Sequence, residues 1–273
     1  MGSAASGRSS PTIRDTCVTR AVLLVAALAI VAVLIWALQR LSARTAALRA
    51  QLEAAARELQ HLQEACARLA PAGLVQRLVA DRAEPPAERK VVTALFSDLV
   101  GYTAMSERLE PVVLARVMNG YFQRMSDAIH EHRGHVSTFV GDGVLAYFGA
   151  LQHNPWQCDD AVRAALAMRA ALRDYNKELA DEGLPPLSVG IGIHRGPGLA
   201  GLVGSRERME YAFISRTVNL AARVQALTRM HLVDILVTEV VREHLDPRFA
   251  LTLMPAESVK GIDEPVVTYA VRE

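Results

Sequence analysis

Cysteine is scarce in this chain: Cys17, Cys66 and Cys158 fall in three separate segments and share no metal-ligand spacing. That argues against a disulfide framework or a cysteine-built zinc site, and it fits a reducing compartment for most of the chain. An excess of charge is missing as well, with 30 basic residues against 29 acidic ones, and aromatics make up only 5%. With no basic block and no aromatic–basic interleaving, no nucleic-acid partner is expected. Internal repeats and low-complexity tracts are absent from residues 91–273. Apolar residues, in contrast, reach 51%, ample for a core in a chain of one or two domains.

One stretch lacks any charged or polar side chain: Ala21 to Leu38, 18 residues between Arg20 and Gln39-Arg40. At about 1.5 Å per residue it spans roughly 27 Å, close to the thickness of a hydrocarbon core, with Trp36 toward one interface. A single membrane span is preferred here over a cleaved signal peptide. A signal peptide has a shorter apolar run and a small-residue cleavage site, whereas Arg40, Arg44 and Arg49 follow this one. Arg8, Arg14 and Arg20 precede it, so the basic-residue bias cancels and sets no orientation.

Glycine and proline are then missing until Pro71. Over that interval Leu41, Thr45, Leu48, Leu52, Ala55, Leu59, Leu62, Cys66 and Leu69 recur at alternating steps of four and three. A 3.5-residue period over about four heptads is the seam of a coiled coil. A single amphipathic helix packed on its own domain is the alternative; the narrow stripe directly after a span favours a parallel dimeric stalk. The expected organisation is an N-terminal tail (1–20), a transmembrane helix (21–38), a stalk (39–70), a linker containing Pro85-Pro86 (71–90) and a folded domain (91–273).

Within that domain, strands are expected over Val91–Ser97, Leu187–His194, Asp234–Thr238 and Val266–Val271, with a hairpin over Val136–Phe148. Helices are expected over Pro111–Arg133, Asp159–Asp181 and Asn219–Met230. Hairpins mixed with covering helices predict an α+β fold, an antiparallel-rich sheet covered by helices. Asp98 ends the first strand and Asp142 sits between glycines in the hairpin turn. Alone, the first would be a helix cap and the second a turn residue. Together, two carboxylates at strand ends beside glycine turns suit Mg²⁺ shared with a nucleoside triphosphate. His194, inside an apolar strand, reads as a core or turn histidine rather than a ligand.

Five motifs in order, spread over Arg89 to Arg272, resemble the catalytic domain of class III nucleotidyl cyclases. They are Phe96 to Thr103, Phe139 to Gly143, Gly190 to Gly196, Thr217 to Arg223 and Val259-Lys260-Gly261. The resemblance implies a ferredoxin-like domain that dimerises with itself and builds its active sites at the subunit interface. By the same resemblance, Asp98, Leu99 through its main chain, and Asp142 would hold two Mg²⁺ or Mn²⁺ per site. Asn219 and Arg223 of the other chain would be catalytic, with Lys260 binding phosphate. Main-chain N–H groups of Val100, Gly101, Tyr102 and Thr103 would hold the β- and γ-phosphates, and Thr138 and Ala212 would face the base.

The base-facing positions depart from the family. Adenylyl-type members carry Lys where Thr138 stands and Asp or Thr where Ala212 stands; guanylyl-type members commonly carry Glu at the first position. Thr138 can replace one hydrogen bond to a purine and Ala212 none. Arg216 also replaces a usually acidic residue. The expected function is a membrane-anchored adenylate cyclase with relaxed base selection, making cyclic AMP and pyrophosphate from ATP. The alternatives are a guanylate cyclase using GTP, or a catalytically silent nucleotide-binding and dimerisation module. Because ATP is cytosolic, residues 39–273 are expected in the cytoplasm, attached to the inner (plasma) membrane by a single pass through its lipid.

Overall fold

The computed structural model describes residues 13–69, 87–205, 209–262 and 264–272. The expected tail and linker lie largely outside these residues. The chain divides into two units, Met1–Ala65 and Cys66–Glu273.

One uninterrupted helix, α1 (Ile13–Leu69), makes up the described part of the first unit, ends four residues beyond it, and runs through both the expected span and the expected stalk. With no Gly or Pro between those ends and a composition rich in Ala, Leu, Arg, Glu and Gln, nothing in the sequence breaks it. Among the described residues it is the one helix long and apolar enough to cross a membrane. Leu28, Ile30, Leu34 and Leu38 are more than half exposed, and so are Leu41, Leu48, Leu52, Leu59 and Leu62 of the heptad stripe.

The second unit is built on a mixed sheet. Its strands are β1 (Glu88–Leu99), β2 (His135–Val140), β3 (Gly143–Phe148), β4 (Val189–Gly204), β5 (Met209–Ile214), β6 (Ile235–Thr238), β7 (Leu251–Leu253) and β8 (Thr268–Val271). The order is β2-β3-β1-β4-β6-β8-β7, with β5 pairing the far half of β4. All pairs are antiparallel except β4 with β6. Helices α2 (Tyr102–Arg108), α3 (Pro111–Glu131), α4 (Gln157–Asp181), α5 (Arg216–His231) and the single turn α6 (Glu239–Arg242) complete it.

Strand alternation sorts the core. Leu95 and Leu99 of β1, Val144, Ala146 and Phe148 of β3, and Ile191 and Ile193 of β4 pack under α3 and α4. Val92 and Ala94, with Leu145 and Tyr147, face the opposite way and meet Phe213 and Ala221. The central strands are thus buried on both faces, which is why they read as continuous apolar runs.

Two expectations are corrected. β4 does not turn after His194 but continues to Gly204, pairing β1 from Val189 to Ala200 and β5 from Leu199 to Gly204. Pro197 is tolerated because it falls between Ile193, the last partner of β6, and Leu199, the first of β5. Its carbonyl takes the Ser215 and Thr217 hydroxyls, so its nitrogen faces the same gap and no ladder bond is lost. The helix expected from Asn219 starts three residues earlier, because Ser215 caps it by accepting from the Thr217 N–H at 3.0 Å.

α5 lies unusually close to the sheet. A methyl group placed on Gly192 would sit 2.2 Å from the Gln225 nitrogen and 2.4 Å from the Ala221 carbonyl oxygen, and one on Gly190 would sit 2.2 Å from Thr228 Oγ1. These two glycines fix the depth and register at which α5 docks.

Candidate active site

The β1–β3 register pairs Ser97 with Val144, so two residues further the hairpin turn brings Asp142 alongside Leu99. The Leu99 N–H accordingly donates to Asp142 Oδ2 at 3.2 Å. Alternation turns Asp98 toward the α5 side of the sheet, and there Arg229 meets it: Nη2 donates to Asp98 Oδ2 at 2.9 Å and to the Leu99 carbonyl at 3.0 Å. Burial first and the Asp142 charge second hold the Asp98 carboxyl above the ordinary carboxylate range; Arg229 offsets part of this. Behind them Tyr121 is fully buried. Burial raises its hydroxyl well above the usual value, the Ser97 hydroxyl offsets part of that, and the two aspartates push it further up, so it keeps its proton. Tyr121 and Arg229 are site residues that sequence reasoning missed.

Among the described residues, no three or more of His, Cys, Asp and Glu gather in one metal-holding group. Two carboxylates and the Leu99 carbonyl nevertheless form a hard-oxygen set that fits Mg²⁺ or Mn²⁺ taking its other ligands from phosphate and water.

Gly101 adopts φ 78°, a left-handed conformation open to glycine at little cost, and so turns the chain from β1 into α2. The Met105 N–H is the one that closes on the Gly101 carbonyl, leaving the helix-opening amides of Tyr102 and Thr103 without an intrahelical partner. Val100 differs from expectation: its N–H donates to the Ser188 carbonyl at 2.8 Å and is already committed. A cavity of about 530 Å³ adjoins this turn, between Leu99–Met105 and the Gly183–Leu187 loop.

The expected catalytic pair sits elsewhere. Asn219 and Arg223, one turn apart on α5, line a cavity of about 870 Å³ with His194, Ser215, Arg216 and Gly261. Gly261, at φ 74° in the Lys260-Gly261 turn, lies against Arg223: a methyl group there would be 3.4 Å from its Nη1. Lys260 is exposed and does not line the cavity, although its turn does. Neither Asp98 nor Asp142 reaches it. Asn219 and Arg223 lie ten and six residues before Arg229 on α5, about 15 and 9 Å of helix, so within one chain the Asn–Arg pair lines a cavity separate from the carboxylates. Thr138 is exposed on β2, where its hydroxyl makes only a 3.4 Å contact with the Phe139 carbonyl, and Ala212 pairs with Gly201 at the β5–β4 ladder.

His194 lines the cavity with Nδ1 2.9 Å from Thr238 Oγ1, and burial lowers it to about 4. His135 is likewise lowered by burial to about 4. Both stay neutral in the fold but would protonate near pH 6.5 once unfolded. The unfolded chain therefore binds more protons across that window, and stability must fall as pH drops from about 6.5 toward 4, then level off. Urea titrations should show a loss of about 2 kcal/mol per histidine between pH 6.5 and 4.5, and His135→Gln should flatten the slope.

Four of the motifs lie on the expected strand end, hairpin, helix and late turn, and the third lies wholly within β4. The family model for the adenylate and guanylate cyclase catalytic domain matches residues 85–273. The chain belongs to this family. An adenylate cyclase of Anabaena cylindrica is 38% identical over 193 residues, 68% of this chain and 38% of the relative. The chain thus spans well under half the length of that curated relative. Among solved structures, the guanylyl cyclase Cya2 is similar at 34% identity and TM-score 0.65, covering 68% of this chain and 94% of its own. The adenylyl cyclase CyaB of P. aeruginosa is similar at 29% identity and TM-score 0.65, covering 69% and 97%. The second unit is a class III cyclase domain.

Proposed function

We propose that this cyclase domain converts ATP to 3′,5′-cyclic AMP and pyrophosphate at a site completed by a second copy of the chain. The observation that carries it is the separation within one chain: Asp98 and Asp142 at one end of α5, the Asn219–Arg223 cavity at the other. A two-fold pair of chains would lay each carboxylate end against the other's cavity. Two Mg²⁺ or Mn²⁺ held by Asp98, Asp142 and the Leu99 carbonyl would acidify the ribose 3′-hydroxyl and neutralise charge at the α-phosphate. The Asn219 amide orients the ribose. The Arg223 guanidinium, resting on Gly261, grips phosphate oxygens in pairs, and Lys260 adds a point charge. Amides of Gly101, Tyr102 and Thr103 hold the terminal phosphates.

The exposed apolar face of α1 supports a membrane anchor over residues 21–38 and, below it, a stalk pairing two chains, with the cyclase domain in the cytoplasm beside its ATP.

Thr138 and Ala212 supply too few donors and acceptors to reject the wrong purine strongly, a deficit of a few kcal/mol in discrimination. The likeness to one guanylyl and one adenylyl structure at equal TM-score leaves the base open, while the Anabaena relative favours ATP. Purified protein with Mn²⁺ should make cyclic AMP from ATP well above an Asp98→Ala control and a lesser amount of cyclic GMP from GTP. Cyclic GMP in excess would reverse the substrate. Nucleotide binding without pyrophosphate release would instead establish the silent module suggested by Thr138, Ala212 and Arg216.

A further inference from the structure

The Arg229 guanidinium occupies the place where a cation is needed. One nitrogen, Nη2, donates both to Asp98 Oδ2 at 2.9 Å and to the Leu99 carbonyl at 3.0 Å. These are two of the three oxygen sources of the metal set, and the third, Asp142, accepts from the Leu99 N–H. In this state each of the three already has a donor from the protein itself. A divalent ion bound between Asp98 and the Leu99 carbonyl would have to sit where Nη2 now bridges them, since both oxygens point at one atom.

The side chain is built to give way. α5 is pinned to β4 at Gly190 and Gly192, so the Arg229 backbone stays in place while the side chain, 51% exposed, can swing into solvent on its flexible stem. An exposed ion pair of this kind contributes little to stability, so a dication can outcompete it. Until then it keeps two neighbouring carboxylates from facing each other without a counter-charge.

We propose that Arg229 is a resident counter-cation that a divalent metal must displace from Asp98 and the Leu99 carbonyl, lowering metal affinity in the nucleotide-free enzyme. The proposal rests on the cyclase reading of the same carboxylates. Arg229 does not act on substrate; it sets how readily the carboxylates accept metal.

The test is Mn²⁺ binding, followed by electron paramagnetic resonance on the whole 273-residue chain in detergent without nucleotide. Arg229→Gln, which keeps the stem and loses the charge, should tighten Mn²⁺ about three- to tenfold, while Arg229→Lys should stay near the parent. Without metal, Arg229→Gln should melt close to the parent, and saturating Mn²⁺ should raise its melting temperature by more than it raises the parent's. Mn²⁺ affinity that is unchanged or weaker in Arg229→Gln would overturn the proposal, leaving Arg229 as an orienting partner of Asp98. Asp98→Asn is the separate control: if it still binds Mn²⁺ like the parent, the metal assignment itself fails, and this inference with it.

Discussion

Co-expression of an Asp98→Ala, Asp142→Ala chain with an Arg223→Ala chain should restore up to about a quarter of parental cyclase activity, although each chain alone is inactive. Random pairing gives half mixed dimers, and in each of these one of two sites draws intact carboxylates from one chain and an intact Arg223 from the other. Each variant alone should lose at least about 10²- to 10³-fold, the effect of removing a metal site or a charge-stabilising donor at a developing phosphate. The expectation follows from the geometry of α5, along which Arg223 lies six residues, about 9 Å, and Asn219 ten residues, about 15 Å, before the Arg229 that holds Asp98. A single-chain site would leave every mixture as inactive as its components. Cyclic AMP measured on the co-purified mixture decides between the two.

Gly192→Ala should destabilise the cyclase domain by about 3 kcal/mol or more, near the upper end for a single methyl group. The new carbon would meet backbone atoms of α5, the Gln225 nitrogen at 2.2 Å and the Ala221 oxygen at 2.4 Å, and a helix backbone cannot rotate away as a side chain would. The helix must lift or tilt, carrying Asn219, Arg223 and Arg229 with it. Urea melts should record the loss of stability, and Mn²⁺-dependent activity at low temperature should fall as well, because both half-sites hang on the same helix. A variant as stable as the parent would show that α5 docks less closely than described.

Much of this was legible in the chain because its causes are local. Asp98 stands out at the end of an apolar β-branched run, Asp142 between glycines in a hairpin, and Asn219 and Arg223 at helical spacing. The long helix α1 follows from an unbroken run without Gly or Pro. The continuation of β4 did not follow in the same way. Gly196-Pro197-Gly198 carries strong turn signals, and only pairing with β1 on one side and β5 on the other keeps it extended. The committed N–H of Val100 was equally hidden, because its acceptor, Ser188, is distant in sequence.

Sequence alone determined the residues on offer, a carboxylate pair and an Asn–Arg helix, and through the resemblance of five motifs it pointed to a cyclase family in which Thr138 and Ala212 would face the base. The carboxylate pair and the helix reside in residue type and near-neighbour spacing, which periodicity and turn propensity reveal. Tertiary structure alone decided how the parts are shared out. It split the carboxylates from the Asn219–Arg223 cavity, set the depth of α5 through two glycines, and brought Arg229 onto a carboxylate 131 positions away. Contacts of that kind depend on how a helix docks across a sheet, and no local pattern records them.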